Sequence, residues 1–177
     1  MSDKNILDQR IRLLQRRKWI RSLLFSLAAT AGVVYLLLGV LFGISIVRGD
    51  SMVPGLRSGD LIFYRRFGSS EYRMGDIVLI RTGEKSYYIK RVCAVPGETV
   101  DIDDGTGGLL INGEPATEPY IYSQTFRKED VVYPLTLGEG EYFCMGDNRG
   151  NSLDSRNYGP VDSNEIEGKA LTVFRIF

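Results

Sequence analysis

Residues 22–47 form a run of 26 without one charged side chain, rich in Leu, Val, Ile, Phe and Ala. As a helix rising 1.5 Å per residue, such a run reaches roughly 39 Å, more than the ~30 Å hydrocarbon core of a bilayer. Its flanks differ in sign. Residues 1–21 carry Lys4, Arg10, Arg12, Arg16, Arg17, Lys18 and Arg21 against only Asp3 and Asp8, while the stretch after residue 47 is acidic by a similar margin. Basic flanks stay on the cytoplasmic side. The expected organisation is therefore a cytoplasmic basic segment (1–21), a transmembrane helix (22–47) and an extracytoplasmic domain (48–177), making a single-pass protein of the cell membrane. Ile6, Ile11, Leu13, Leu14 and Trp19 sit among the charges as an extension of the helix, and the basic cluster is placed to touch anionic membrane lipid. The competing reading is a cleaved signal peptide, with Ala29-Thr30-Ala31 as a small-x-small site. Cleavage there would leave 16 further uncharged residues at the new N-terminus, which favours a retained anchor.

Across the whole chain the charges balance, 22 basic against 22 acidic, and a nucleic-acid binder would show a basic excess. The 177 residues contain no histidine. That excludes a Ser-His-Asp triad, a Cys-His dyad and any metal site built on imidazole, and two cysteines cannot make a Cys₄ zinc site. Any catalysis must draw its base from Lys, Asp, Glu or Tyr. The expectation is no metal.

The part beyond residue 48 reads as mostly β. Residues 60–64, 76–81 and 86–95 are short runs rich in Ile, Val and Tyr. Thr82-Gly83-Glu84-Lys85 reads as the hairpin loop joining the last two. Leu109-Leu110-Ile111 runs into Asn112-Gly113, a strong tight-turn signal. Residues 142–145 and 169–176 complete the expected strands, and no amphipathic helix is expected after residue 48. Residues 103–137, richer in polar and turn residues, read as a small inserted subdomain on a barrel-like or folded antiparallel sheet.

Without histidine, a serine nucleophile can be activated by a lysine, provided the amine is neutral. Lysine is ordinarily charged at pH 7, and burial among apolar groups lowers its pKa. Lys90, within Tyr87-Tyr88-Ile89-Lys90-Arg91-Val92, has such surroundings. In a strand Lys90 and Arg91 point to opposite faces, so one can meet a dry site while the other meets water. Ser51 lies in Gly49-Asp50-Ser51-Met52-Val53-Pro54-Gly55-Leu56, a turn stiffened by Pro54. A third segment, Gly146-Asp147-Asn148-Arg149-Gly150-Asn151-Ser152-Leu153-Asp154-Ser155-Arg156, is dense in turn formers and opposite charges, suited either to a solvated loop or to orienting a site. Each segment alone also fits an ordinary surface role.

Together the segments resemble the type I signal peptidase family, whose members use a Ser-Lys dyad. Gly49-Asp50-Ser51-Met52-Val53-Pro54 is similar to its nucleophile box, and Gly75-Asp76-Ile77-Val78 to the next. Tyr88-Ile89-Lys90-Arg91-Val92 with Pro96-Gly97-Glu98 resembles the lysine box. Gly146-Asp147-Asn148-Arg149 through Asn151-Ser152, Asp154-Ser155-Arg156 and Gly159 resembles the last box. The resemblance covers about residues 18–177. It implies a folded antiparallel β catalytic core with a small β insertion behind one transmembrane helix. It implies Ser51 as nucleophile, Lys90 as general base, Ser152 as the hydroxyl orienting the lysine, and Asp154 and Arg156 as a structural ion pair. The Ser51 N–H would form part of an oxyanion hole, and Gly49 stands where some members carry a second, hydroxyl donor. Gly55 stands where the family usually has Thr. The implied substrates are secretory preproteins near the secretion translocon, cut after small residues in an Ala-x-Ala-like pattern, and no cofactor is implied. Val47, Met52, Leu56, Tyr88 and Ile89 are the candidates to line the shallow pockets, and an extended substrate would pair with the strands bearing Ser51 and Lys90.

Cys93 and Cys144 flank two of these boxes. A disulfide is permitted outside the cytoplasm, but both lie in apolar strands, which favours buried free thiols. Three other roles compete. A self-cleaving repressor-type protease shares the chemistry but is soluble. A non-catalytic assembly factor for a surface protein would have no need of both Ser51 and Lys90. A peptidase dedicated to one exported protein would share every residue named.

Overall fold

The computed structural model describes residues 3–66, 71–83 and 86–175. Glu84 and Lys85 of the expected hairpin loop and Ile176 of the expected last strand lie outside them. The chain divides into two units, residues 1–41 and 42–177.

The first unit is one helix, α1 (Asp3–Leu41), unbroken through the basic segment and most of the uncharged run. Its stretch Arg12–Leu41 is long and apolar enough to cross a membrane, and none of its most apolar window is buried by protein. Where the sequence reading carried the helix to Val47, the chain turns at Phe42 into a strand, β1 (Phe42–Ile46). The physical reason is a period-2 pattern concealed in an apolar run. In Phe-Gly-Ile-Ser-Ile the bulky residues alternate with small ones. Gly43 lets the strand lie against the Tyr64 ring, which a Cβ would strike.

The second unit is antiparallel β. Strands β2 (Leu61–Arg65), β3 (Ile77–Arg81), β4 (Tyr87–Ala94), β9 (Glu141–Met145), β10 (Val161–Asp162) and β11 (Ile166–Phe174) join β1 in a seven-stranded sheet of order β1-β2-β11-β3-β4-β9-β10. The last strand thus inserts between β2 and β3, with register shifts along its length. A four-stranded sheet, order β7-β6-β5-β8, is built from β5 (Thr99–Asp103), β6 (Gly108–Ile111), β7 (Glu114–Pro115) and β8 (Leu135–Thr136). The Asn112-Gly113 signal becomes the turn between β6 and β7, with both residues at positive φ, 54° and 84°. The second sheet begins at Thr99, slightly before the polar stretch that reads as an insertion. The one α-helix after residue 48 among the described residues is a single turn, α2 (Ser155–Tyr158).

Three buried clusters hold this unit together. One packs Val100, Ile102, Leu109 and Ile111 of the second sheet on Cys93, Phe143 and Met145 of the first. A second gathers Tyr72, Val78, Val92, Tyr142 and Cys144. The third, Val47, Met52, Leu56, Ile62, Tyr64, Leu79 and Ile89, lies beneath the turn that carries Ser51. Cys93 and Cys144 are both free and fully buried. Burial pushes the Cys93 thiol up to about 12 and raises that of Cys144 as well, so both stay protonated.

Candidate active site

Ser51 occupies the turn that follows β1 rather than a strand. The turn closes with Val53 N–H donating to Asp50 O at 3.2 Å and Leu56 N–H donating to Met52 O at 2.8 Å. Met52 and Leu56 are its apolar anchors, almost wholly buried in the cluster below. From the other side, Asn148 N–H donates to Ser51 O at 3.0 Å and Asn148 Nδ2 donates to Asp50 O at 3.1 Å. The loop after β9 therefore clamps the Ser51 turn by its backbone. Gly146 permits the approach: a Cβ there would strike Ser152 Oγ and Ser51 O.

Lys90 lies on β4 with its side chain turned into this junction, 3% exposed. Its Nζ is 3.1 Å from Ser51 Oγ and 3.0 Å from Ser152 Oγ. Burial lowers its pKa from 10.5 to about 8. Asp154 and Asp147 pull the value up, while Arg156 and Lys128 push it down. Near neutral pH the amine is still mostly charged, but its neutral share is far larger than that of an exposed lysine.

Ser152 lies two residues before Asp154, and its hydroxyl helps to hold that carboxyl's pKa down. Asp154 caps α2 and forms a capping box with Asn157. It accepts from Arg156 through Nε and Nη2, both at 2.9 Å, and from Gly146 N at 3.2 Å. Burial by itself would raise the Asp154 pKa, but the Arg156, Ser152 and Gly146 bonds hold it below its ordinary value. A Ser152 hydroxyl that accepts from Lys90 keeps its own proton free to turn toward the Asp154 carboxylate, which only accepts. A neutral Lys90 amine that donates to Ser152 has a lone pair to offer the Ser51 hydroxyl 3.1 Å away.

Arg91 points to the opposite face, as strand geometry requires, but it does not meet water as expected. Its guanidinium grips Asp147 through two bonds of 2.8 and 2.7 Å, donates to Gly75 O at 2.9 Å and lies 4.2 Å from the centre of the Tyr120 ring. Asp147 is fully buried, so the pair fixes the loop behind Ser51. A Cβ at residue 55 would press on Asp147 Oδ2 at 2.6 Å, which accounts for Gly at this position.

A groove of about 450 Å³ opens beside Ser51 and Lys90, lined among others by Val47, Met52, Tyr88 and Ile89. Leu56 does not line it and belongs to the cluster below. Among the described residues β1 pairs only with β2, and residues 87–90 of β4 pair only with β3. The groove therefore runs between two strand edges with backbone groups to offer. The structure thus gathers Ser51, Lys90, Ser152, Asp154 and Arg156 at one place. Sequence reasoning passed over the Arg91–Asp147 pair, the buried Arg149–Glu118 pair at 2.6 Å and Lys128. Arg91 carried a signal as the strand neighbour of Lys90, and Arg149 and Asp147 as charged residues in a turn-rich segment. Glu118 and Lys128 come from the polar stretch, where nothing local marks a buried partner.

A β-fold that brings a serine hydroxyl, a buried lysine amine and a second hydroxyl within hydrogen-bond reach has the parts of a hydrolase that works without histidine. The model of the family described as signal peptidase, peptidase S26, matches residues 16–175, and the chain belongs to this family. A signal peptidase I of Bacillus licheniformis is 35% identical over 89% of this chain and 87% of its own length. Signal peptidase I T of Bacillus subtilis (strain 168) is 40% identical over 76% of this chain and 74% of its own. A crystal structure of a signal peptidase I from Enterococcus faecalis V583 is 30% identical, with a TM-score of 0.48 over 58% of this chain and 97% of that one. The activity that goes with this membership is removal of signal peptides by a serine protease.

Proposed function

We propose that this chain is a membrane-anchored endopeptidase that removes signal peptides from secretory preproteins with Ser51 as nucleophile and Lys90 as general base. The observation that carries the reading is the 3.1 Å approach of a buried lysine amine to Ser51 Oγ, with Ser152 Oγ at 3.0 Å on the same nitrogen. Neutral Lys90 takes the Ser51 proton as Oγ attacks the scissile carbonyl. The resulting ammonium returns that proton to the leaving amine, and the acyl-enzyme is opened by a water that Lys90 deprotonates. The Ser51 N–H supplies one donor to the oxyanion, and Gly49 adds no side-chain donor. Ser152 orients the amine, and the Asp154–Arg156 pair holds Ser152.

The substrate lies extended in the groove, its backbone bonding to the free edges of β1 and β4. Val47, Met52, Tyr88 and Ile89 shape pockets that favour small residues in an Ala-x-Ala-like pattern. The anchor is α1, with its basic end in the cytoplasm against anionic lipid and the β unit outside the cytoplasm, near the point where preproteins leave the secretion translocon. A peptidase dedicated to a single exported protein would use the same residues. The pairing of Ser51 with Lys90 disfavours a non-catalytic assembly role.

The test uses the detergent-solubilised full chain, with Ser51→Ala and Lys90→Ala alongside, and a preprotein bearing an Ala-x-Ala site. Products are read by intact mass. One cut after the second Ala, absent from both variants, is the expected result. Cleavage by Lys90→Ala would sink the dyad, and a folded wild type that leaves this substrate intact would point to a dedicated enzyme or a scaffold.

A further inference from the structure

We propose that Lys128 is a positioning residue for this site: its ammonium holds the Ser152 carbonyl and the Asn157 side chain, and so keeps the Ser152 hydroxyl against Lys90. The inference rests on the Ser51–Lys90 reading and extends it into the segment between β7 and β8. Lys128 Nζ donates to Ser152 O at 2.6 Å and to Asn157 Oδ1 at 3.0 Å. An ammonium has three donors and no acceptor, so this is a fixed, charge-assisted clamp on two acceptors. Both acceptors matter to the site. Ser152 presents its hydroxyl to Lys90. Asn157 closes the capping box on Asp154, its side chain accepting from the Asp154 N–H. The clamp arm is itself docked, because the neighbouring Phe126 carbonyl accepts from Arg156 Nη1 at 3.4 Å. One side chain from the second sheet's connection thus ties together the serine that orients Lys90 and the turn that orients that serine. Misplacing a catalytic neighbour by about 1 Å can cost on the order of 10²-fold in rate.

The charge on Lys128 adds a second effect that a purely structural clamp would lack. The groups facing Lys90 are Asp154 and Arg156 at the start of α2, Asp147 from the loop after β9, Lys128, and the Tyr88 ring on its own strand. Those facing Lys128 are Arg156, Asp154 and Asp130. Lys128 and Arg156 are the two cations that work against Asp154 and Asp147. Removing the Lys128 charge lets Lys90 keep its proton to higher pH, so the rising limb of the rate profile moves upward.

The experiment measures single-turnover cleavage of the Ala-x-Ala preprotein by the full chain in detergent from about pH 6 to 10, for wild type, Lys128→Met, Lys128→Arg and Lys90→Ala, with folded fraction and Tm read in parallel. The expected result for Lys128→Met is a plateau rate about tenfold lower, KM little changed and the limb shifted to higher pH. Lys128→Arg, which keeps charge and donors, should restore the limb and most of the rate. A Lys128→Met enzyme with wild-type plateau and limb overturns the inference. So does a loss that merely tracks a lower folded fraction with the limb unmoved. Lys90→Ala separates the two claims: if it stays active the dyad itself fails, and if it is inactive while Lys128→Met behaves as wild type, only the Lys128 inference fails.

Discussion

Lys90 enters the fold with an ordinary pKa of 10.5 and is brought to about 8, chiefly by burial. Below that value the folded protein holds an ammonium that cannot take the Ser51 proton. Single-turnover rates should therefore climb about tenfold per pH unit toward pH 8 and then level off, provided chemistry limits the rate. A profile flat from about pH 5 to 9 would contradict a lysine base. Ser51→Ala should lower kcat by up to about 10⁶, the scale seen when a serine protease loses its nucleophile, and Lys90→Ala should be comparably severe. The absence of histidine leaves few bases, but residue pattern alone did not single out Lys90 or Ser51; the resemblance of their segments to the family's boxes did. What local reading could not supply was the fate of Arg91. Strand alternation puts it on the other face, but only the loop after β9 and the segment between β7 and β8 decide that this face is occupied by Asp147 and Tyr120 instead of water.

The turns around the site act as units. Gly146→Ala inserts a methyl group against both Ser152 Oγ and Ser51 O. Forced overpacking of this kind costs about 1–3 kcal/mol. Because the displaced groups are those that meet Lys90, activity should fall further than stability, as paired denaturation and single-turnover measurements would show. Asp147→Ala strips the partner from the mostly buried Arg91 guanidinium. Breaking a buried pair this way costs about 3–5 kcal/mol, so the variant should lose much of its Tm, and an unchanged Tm would deny the pair its structural role. The strands of the β unit were largely readable. Runs expected at 60–64, 76–81, 86–95 and 142–145 appear as β2, β3, β4 and β9 with ends shifted by a residue or so. β1 was not, because the alternation of Phe42, Ile44 and Ile46 with Gly43 and Ser45 is invisible inside a run that is uncharged throughout.

For the protein as a whole, the anchor reading makes a prediction of its own. Protease added to spheroplasts should degrade residues beyond 48 while protecting the basic N-terminal segment, once the compact β unit has been loosened by a mild denaturant. Protection of the β unit and exposure of the N-terminus would reverse the orientation. Composition alone decided that this chain carries an apolar helix behind basic residues, that histidine chemistry is closed to it, and that the rest is built of short strands. Those properties follow from local residue type and spacing. The tertiary structure decided which of many charged residues leave the solvent, wholly or in part, and what they pair with: Arg91 with Asp147, Arg149 with Glu118, Lys128 with Ser152. Each joins segments between 24 and 56 residues apart in the chain. Sequence spacing carries no record of such approach, because the sheets bring these segments together only when the strands pair.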